Sequence, residues 1–209
     1  QSSGAWLGGT VSSITLSPDF MVDQVVLAAT GAGLYRSTDG GQTWRLMPDG
    51  LSDPSVLAVE FARANRPGEL CAFAATEGGR LFTTVDGGQS WREVVNWAGL
   101  GTATALAISP NFAQDQTLFV ATGEGIFRTQ DGGQSWESST FGLLDLEVLC
   151  LACAPDFAQS EVLWAGTAQG GLFRSRNAGR SWRESGQGLP DSAVQCLVVS
   201  PHFAANQTL

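Results

Sequence analysis

Ser37-Thr38-Asp39-Gly40-Gly41-Gln42-Thr43-Trp44 decides the fold, because the stretch returns three times along the chain. It recurs as Thr84-Val85-Asp86-Gly87-Gly88-Gln89-Ser90-Trp91 and as Thr129-Gln130-Asp131-Gly132-Gly133-Gln134-Ser135-Trp136. An altered form follows as Ser175-Arg176-Asn177-Ala178-Gly179-Arg180-Ser181-Trp182. The third position falls at 39, 86, 131 and 177, in steps of 47, 45 and 46 residues. A second block keeps the same spacing: SPDF at 17–20, SPNF at 109–112, APDF at 154–157 and SPHF at 200–203. Two independent blocks on one period define a structural repeat.

Each unit reads as four short strands. In the third unit these are 104–109, 117–122, 125–129 and a fourth opening at 135–137, separated by Pro110, Asn111, Gly123, Asp131, Gly132 and Gly133. No ten-residue stretch shows a 3.6 period, so no helix is expected in any unit. A four-stranded unit of this length is the blade of a β-propeller, and one such sheet cannot cover its own two apolar faces. The expectation is therefore an all-β chain, a β-propeller segment of four-stranded antiparallel blades forming a partial or fragmentary ring. Residues 1–9 end a preceding blade; 10–54, 55–101, 102–147 and 148–192 are blades; 193–209 start a further one. In this register Gln1 aligns with Glu184, and Asn206–Leu209 with Asp115–Leu118. The remaining blades are expected in a longer parent chain. The alternative is a five-bladed ring whose last blade is completed by the N-terminal strip.

The repeated motif Ser/Thr-x-Asp-x-Gly-x-Thr/Ser-Trp resembles the Asp-box, or BNR repeat, over almost the whole chain. Its chemistry is local. Asp39, Asp86 and Asp131 are expected to accept backbone N–H bonds and pin the third hairpin, while Gly41, Gly88 and Gly133 allow the tight turn. Trp44, Trp91, Trp136 and Trp182 are expected to fold over the turn or against the next blade. In the fourth box Asn177 replaces the Asp and Ala178 a Gly, ahead of Gly179, which predicts a weaker turn with no lost strand. The resemblance extends to bacterial BNR-repeat proteins and to photosystem II assembly-factor-like and sortilin-like propellers. It implies an exported or cell-surface scaffold that binds a protein or glycan. It also admits a competing class, the sialidase-like or xyloglucanase-like glycoside hydrolases.

Composition narrows the partners. The chain has 209 residues, a formal charge of −9 and eleven cations, all of them Arg. That balance argues against nucleic acid, whose phosphates must be neutralised. No apolar run approaches the ~18 residues of a membrane helix. Seven Trp and eleven Phe require a buried core. The opening QSSGAWLGG has no basic segment followed by an apolar stretch, so no signal peptide is legible.

Catalysis finds little support in the residues. A sialidase-like site needs a tyrosine nucleophile and three clamping arginines. The one tyrosine, Tyr35, stands where sister units hold Phe82, Phe127 and Phe173, so it reads as a core aromatic. Arg36, Arg128 and Arg174 follow that aromatic and Arg45, Arg92 and Arg183 follow the box Trp; these six read as solvated strand positions, not a convergent triad. His202, the single histidine, replaces a turn Asp or Asn, which leaves no histidine metal site; no cofactor is expected. Cys150 and Cys153 point to opposite faces of a strand, and Cys150 and Cys196 share a tight slot with Ala105 and Ser13, so buried, inert thiols are expected. The connections on the end of the sheets away from the boxes vary most, and variable loops on a rigid platform carry specificity. There the candidate contacts are Arg80, Trp97, Phe141, Asp145 and Glu147.

Overall fold

The computed structural model describes residues 9–64, 66, 69–97, 99–189 and 192–209. Most of the 1–9 strip assigned to a preceding blade lies outside these residues. Four four-stranded antiparallel sheets are present, each with its strands in chain order. The first holds β1 (Val11–Leu16), β2 (Val26–Thr30), β3 (Gly33–Ser37) and β4 (Arg45–Leu46). The second holds β5 (Val56–Arg63), β6 (Leu70–Thr76), β7 (Leu81–Thr84) and β8 (Arg92–Glu93). The third holds β9 (Ala103–Ile108), β10 (Leu118–Thr122), β11 (Gly125–Thr129) and β12 (Glu137–Ser138). The fourth holds β13 (Val148–Cys153), β14 (Leu163–Thr167), β15 (Leu172–Ser175) and β16 (Arg183–Glu184).

The second strands show why the sheets must stack. Every residue of VLAAT in β2, LFVAT in β10 and LWAGT in β14 is buried, the signature of a strand covered on both faces. The chain forms two compact units, residues 1–103 and 104–209. In the first, Leu27, Ala29 and Leu34 of one sheet share a core with Val59, Phe61, Phe82 and Trp91 of the next. In the second, Phe119, Ala121 and Ile126 share a core with Leu151, Leu163, Phe173 and Trp182. A smaller cluster places Phe203 against Trp164, at 4.8 Å and edge-on, so residues 193–209 cover the outer face of the fourth sheet.

The absence of helix expected from periodicity needs correction. Among the described residues four single α-helical turns occur: α1 (Phe20–Asp23), α2 (Phe112–Asp115), α3 (Phe157–Ser160) and α4 (Phe203–Asn206). Each begins at the phenylalanine that closes a proline block, and each ends on a left-handed residue: Gln24, Gln116, Glu161 or Gln207. Side chains fix the turn. Ser17 Oγ donates to Asp23 Oδ2 (2.5 Å), and Asp23 Oδ1 accepts the Val25 N–H at 2.9 Å. Ser109 and Asp115 repeat the arrangement, with Thr117 N–H as the donor to Oδ1. One turn brings the chain from the first strand back into the second. Four residues are too few to display a helical period.

Candidate functional site

The box hairpins are held by local bonds. Asp39 Oδ1 accepts the N–H groups of Gln42 and Thr43 at 3.0 and 2.9 Å, and Oδ2 accepts the Thr43 hydroxyl at 2.6 Å. Asp86 and Asp131 repeat these contacts. The donors, the Thr43 hydroxyl foremost, hold the Asp39 carboxyl down at about 2, and Ser135 with its companions does the same for Asp131. Such carboxylates stay ionised and are fully engaged, so they are poor proton donors. In the fourth box Asn177 Oδ1 still accepts Ser181 N–H at 2.9 Å, but its amide now donates to Ser181 Oγ, and β16 survives.

The box turn is tied to its own sheet and to the sheet before it. Gly40, Gly132 and Ala178 donate their N–H to the carbonyls of Gln24, Gln116 and Glu161, the left-handed residues that close the helical turns. Arg36 Nε donates to Gly87 O at 2.8 Å, and Arg128 donates to Ala178 O at 2.6 Å. These acceptors occupy one box position, in the sheet following the arginine. Arg36 and Arg128 are therefore not the solvated residues expected; Arg128 is buried and also bonds Glu137. Arg45, Arg92 and Arg183 are exposed as expected.

The box tryptophans also require a correction of direction. Trp91 and Trp182 are buried against the preceding sheet, not the next. Trp91 also folds over its own turn as expected, its Nε1 donating to Gly88 O at 3.2 Å, whereas Trp182 Nε1 donates to Ser139 O at 2.6 Å. Trp44 folds over its own turn, its Nε1 3.0 Å from Gly41 O, as expected.

At the other end of the sheets the five candidate contacts separate. Trp97 is 1% exposed and belongs to the core, because the 3-10 turn Val95–Trp97 rotates its indole inward. It is not a surface contact. Asp145 is a loop pin: Oδ2 accepts the N–H groups of Gln169 and Gly170, and Oδ1 accepts that of Glu147. Burial opposes ionisation there, but these donors hold its carboxyl below the usual range. Asp53 does the same work in the first unit, accepting from Gly78 and Ser55. Arg80 is engaged by Ser52 Oγ at 2.8 Å and by Glu93 at 3.3 Å. Phe141 and Glu147 remain exposed, and Phe141 is joined by Leu144 and Leu146 on the same connection. Phe141, Asp145 and Glu147 share one connection of the second unit, and Arg80 and Trp97 belong to the first unit.

Sequence reasoning missed two features. One is the motif Gly-Leu-x-Asp at 50–53, 142–145 and 188–191, of which only the Gly-Leu pair stood out. The other is Glu60, the one acidic residue within any of the four first strands. Burial pushes its carboxyl up to about 7, with Thr15 of the neighbouring sheet opposing the shift. The thiols divide as well. Cys150 is buried and donates to Val194 O, its thiol pushed up to about 11 by burial, whereas Cys196 is exposed, contrary to expectation, because residues 192–200 form no sheet strand.

The family model for the BNR/Asp-box repeat matches residues 35–46, the first box hairpin. The chain carries the BNR/Asp-box repeat. No curated protein matches it in sequence. Among solved structures the Asp-box chain is similar to an ancestral GH74 enzyme at 22% identity and TM-score 0.66, over 88% of this chain and 25% of that one. It is similar to the GH74 xyloglucanase from Xanthomonas campestris at 18% identity and TM-score 0.62, over 88% of this chain and 31% of that one. It also resembles YCF48 bound to D1 peptide, at 20% identity and TM-score 0.56, over 83% and 52% of the two chains. The Asp-box chain thus spans between a quarter and about half the length of these proteins. They establish the propeller fold. Among the described residues no helix is long and apolar enough to cross a membrane.

Proposed function

We propose that this Asp-box segment is a non-catalytic scaffold that presents its variable connections to a protein partner. One observation carries the reading. On the connection between β12 and β13, Phe141 is 78% exposed and Leu144 82% exposed, while the backbone beneath them is fixed. Phe141 O accepts Trp182 N–H at 2.8 Å, Gly142 lies so close that a Cβ would stand 2.3 Å from Trp182 O, and Asp145 is bonded on both oxygens. Large apolar side chains carried into water on a pinned backbone are what a protein interface uses as anchors. Glu147 beside them favours a partner with a cation at the rim. That YCF48, with the same fold, is bound to a peptide supports a peptide-like ligand.

A second reading, part of a glycoside hydrolase, is favoured by the two GH74 neighbours and by Glu60, whose raised carboxyl suits a proton donor. Hydrolysis needs a second carboxylate. Around Glu60 the acting group is Thr15 alone, and the box and loop aspartates are held ionised by their own hairpins. Peptide-array binding and xyloglucan hydrolysis measured together decide between the two. The scaffold reading predicts peptide binding that Phe141→Ser/Leu144→Ser removes without lowering Tm, and no turnover. Turnover abolished by Glu60→Gln overturns it.

A further inference from the structure

Phe141, Leu144 and Leu146 stand where the connection between the first two sheets carries Asp49, Ser52 and Pro54. The two backbones are held alike. Trp91 N–H donates to Asp49 O at 2.9 Å as Trp182 N–H donates to Phe141 O, and Asp53 accepts from Gly78 as Asp145 accepts from Gln169 and Gly170. All six of these residues are exposed, so exposure belongs to the position in the repeat, whichever sheets flank it. An exposed apolar side chain adds little to folding, so the replacement changes what the surface can bind.

The surroundings are acidic and hold no cation. Leu146 lies against the turn between β10 and β11, where a Cβ on Gly125 would stand 3.4 Å from its Cδ2, and that turn carries Glu124. On the other side Ala168 N–H donates to Glu147 O at 2.9 Å, which joins the connection to the turn between β14 and β15. Residues 122–125, 138–148 and 167–171 include Glu124, Asp145 and Glu147 and no Arg, in a chain without Lys. Asp145 is committed to the loop. Glu124 and Glu147 are exposed and make no ion pair among the described residues. In the first unit Arg80 occupies the corresponding turn and bonds Ser52 Oγ and Glu93; Gly171 takes that place here.

We infer that the 141–147 connection receives a cationic, apolar peptide segment, in which Leu, Phe or similar side chains adjoin Lys or Arg. The inference rests on the scaffold reading above and names the chemistry of its partner. Phe141, Leu144 and Leu146 supply the apolar centre of the contact, and Glu124 and Glu147 its charged rim. In such a contact the apolar anchors carry affinity and the charges select the partner. An anionic partner would set negative charge against two unanswered carboxylates.

Three pools of short fluorescent peptides, titrated with the whole chain and read by anisotropy, test this. Each pool shuffles the same Leu and Phe residues among Ser and Gly, with the flanking positions all Lys, all Gln or all Glu. The Lys pool should bind about tenfold more tightly than the Gln pool, the Glu pool should bind weakest, and added salt should compress the differences. Glu124→Gln and Glu147→Gln should each weaken binding of the Lys pool by about two- to fivefold, the worth of one exposed ion pair, and leave the Gln pool unchanged. Phe141→Ser/Leu144→Ser should remove binding of every pool. Equal binding of the Lys and Gln pools, or a Lys pool indifferent to both Glu variants, overturns the inference and leaves the scaffold reading standing. Lys-pool binding that survives Phe141→Ser/Leu144→Ser overturns it as charge attraction to another surface. Binding of no pool overturns the inference and the scaffold reading together.

Discussion

Arg36 reaches out of the third strand of its own sheet to donate its Nε–H to the carbonyl of Gly87, in the box turn of the next sheet, 2.8 Å away. Arg128 and Ala178 repeat the relationship in the second unit. The tie gives a guanidinium that the stack withdraws from water an acceptor in the next box turn. Arg128→Gln should therefore destabilise the chain by about 1.5–3 kcal/mol, the range for a lost hydrogen bond from a buried charged group. Arg92→Gln, at an exposed position, should change stability by less than about 0.5 kcal/mol. Urea midpoints of the two variants check the contrast.

The box tryptophans separate by burial. Trp91 is 5% exposed and packs with Leu27 and Phe61, while Trp44 is half-buried over its own turn. Trp91→Ala should cost about 3–5 kcal/mol, and Trp44→Ala less than half of that. Equal losses by denaturant unfolding would contradict the assignment of Trp91 to the core between sheets.

Gly50 has φ +85 and lies against the Trp91 backbone, where an added Cβ would stand 1.8 Å from the carbonyl oxygen. Gly99 has φ +86 but nothing within 4 Å of that position. Both substitutions to Ala carry the strain of a left-handed backbone, about 1 kcal/mol. Only Gly50→Ala must also move a backbone, so it should cost at least about 2 kcal/mol more than Gly99→Ala in thermal unfolding.

The pH dependence of stability has two opposing components. Asp39 and Asp131 are held at about 2, below an ordinary carboxyl, so their contribution is complete above pH ~4 and is lost as pH falls toward 2. Glu60 is raised to about 7, so folding favours its neutral form. Its contribution is complete below pH ~4.3 and declines as pH rises to 7. Glu60→Gln should remove that decline and raise Tm at pH 8 relative to the native chain, with little effect at pH 4.5. A Tm difference independent of pH would contradict the half-buried placement of Glu60.

The hairpin boxes and the four-strand unit were legible because their bonds join residues at most a few positions apart, and the period repeats them. The helical turns were not, because SPDF and its relatives supply a single turn. Arg36 and Arg128 were misread because a period shows which residues are equivalent, not that a side chain spans from one unit to the next. The loop-pinning role of Asp53 and Asp145 escaped notice because the second unit carries Gly99-Leu100-Gly101-Thr102, which breaks the Gly-Leu-x-Asp pattern. Trp97 was placed outside because nothing in VVNW announces the 3-10 turn that buries it.

A backbone amide shift map, recorded as the best-binding array peptide is added to the isotope-labelled chain, tests the central claim most directly. The account predicts perturbations concentrated at 141–147 and on the 168–171 turn that Asp145 holds, with the box amides of Thr43, Ser90 and Ser135 unmoved. Perturbations centred on those box amides, with residues 141–147 silent, would contradict it.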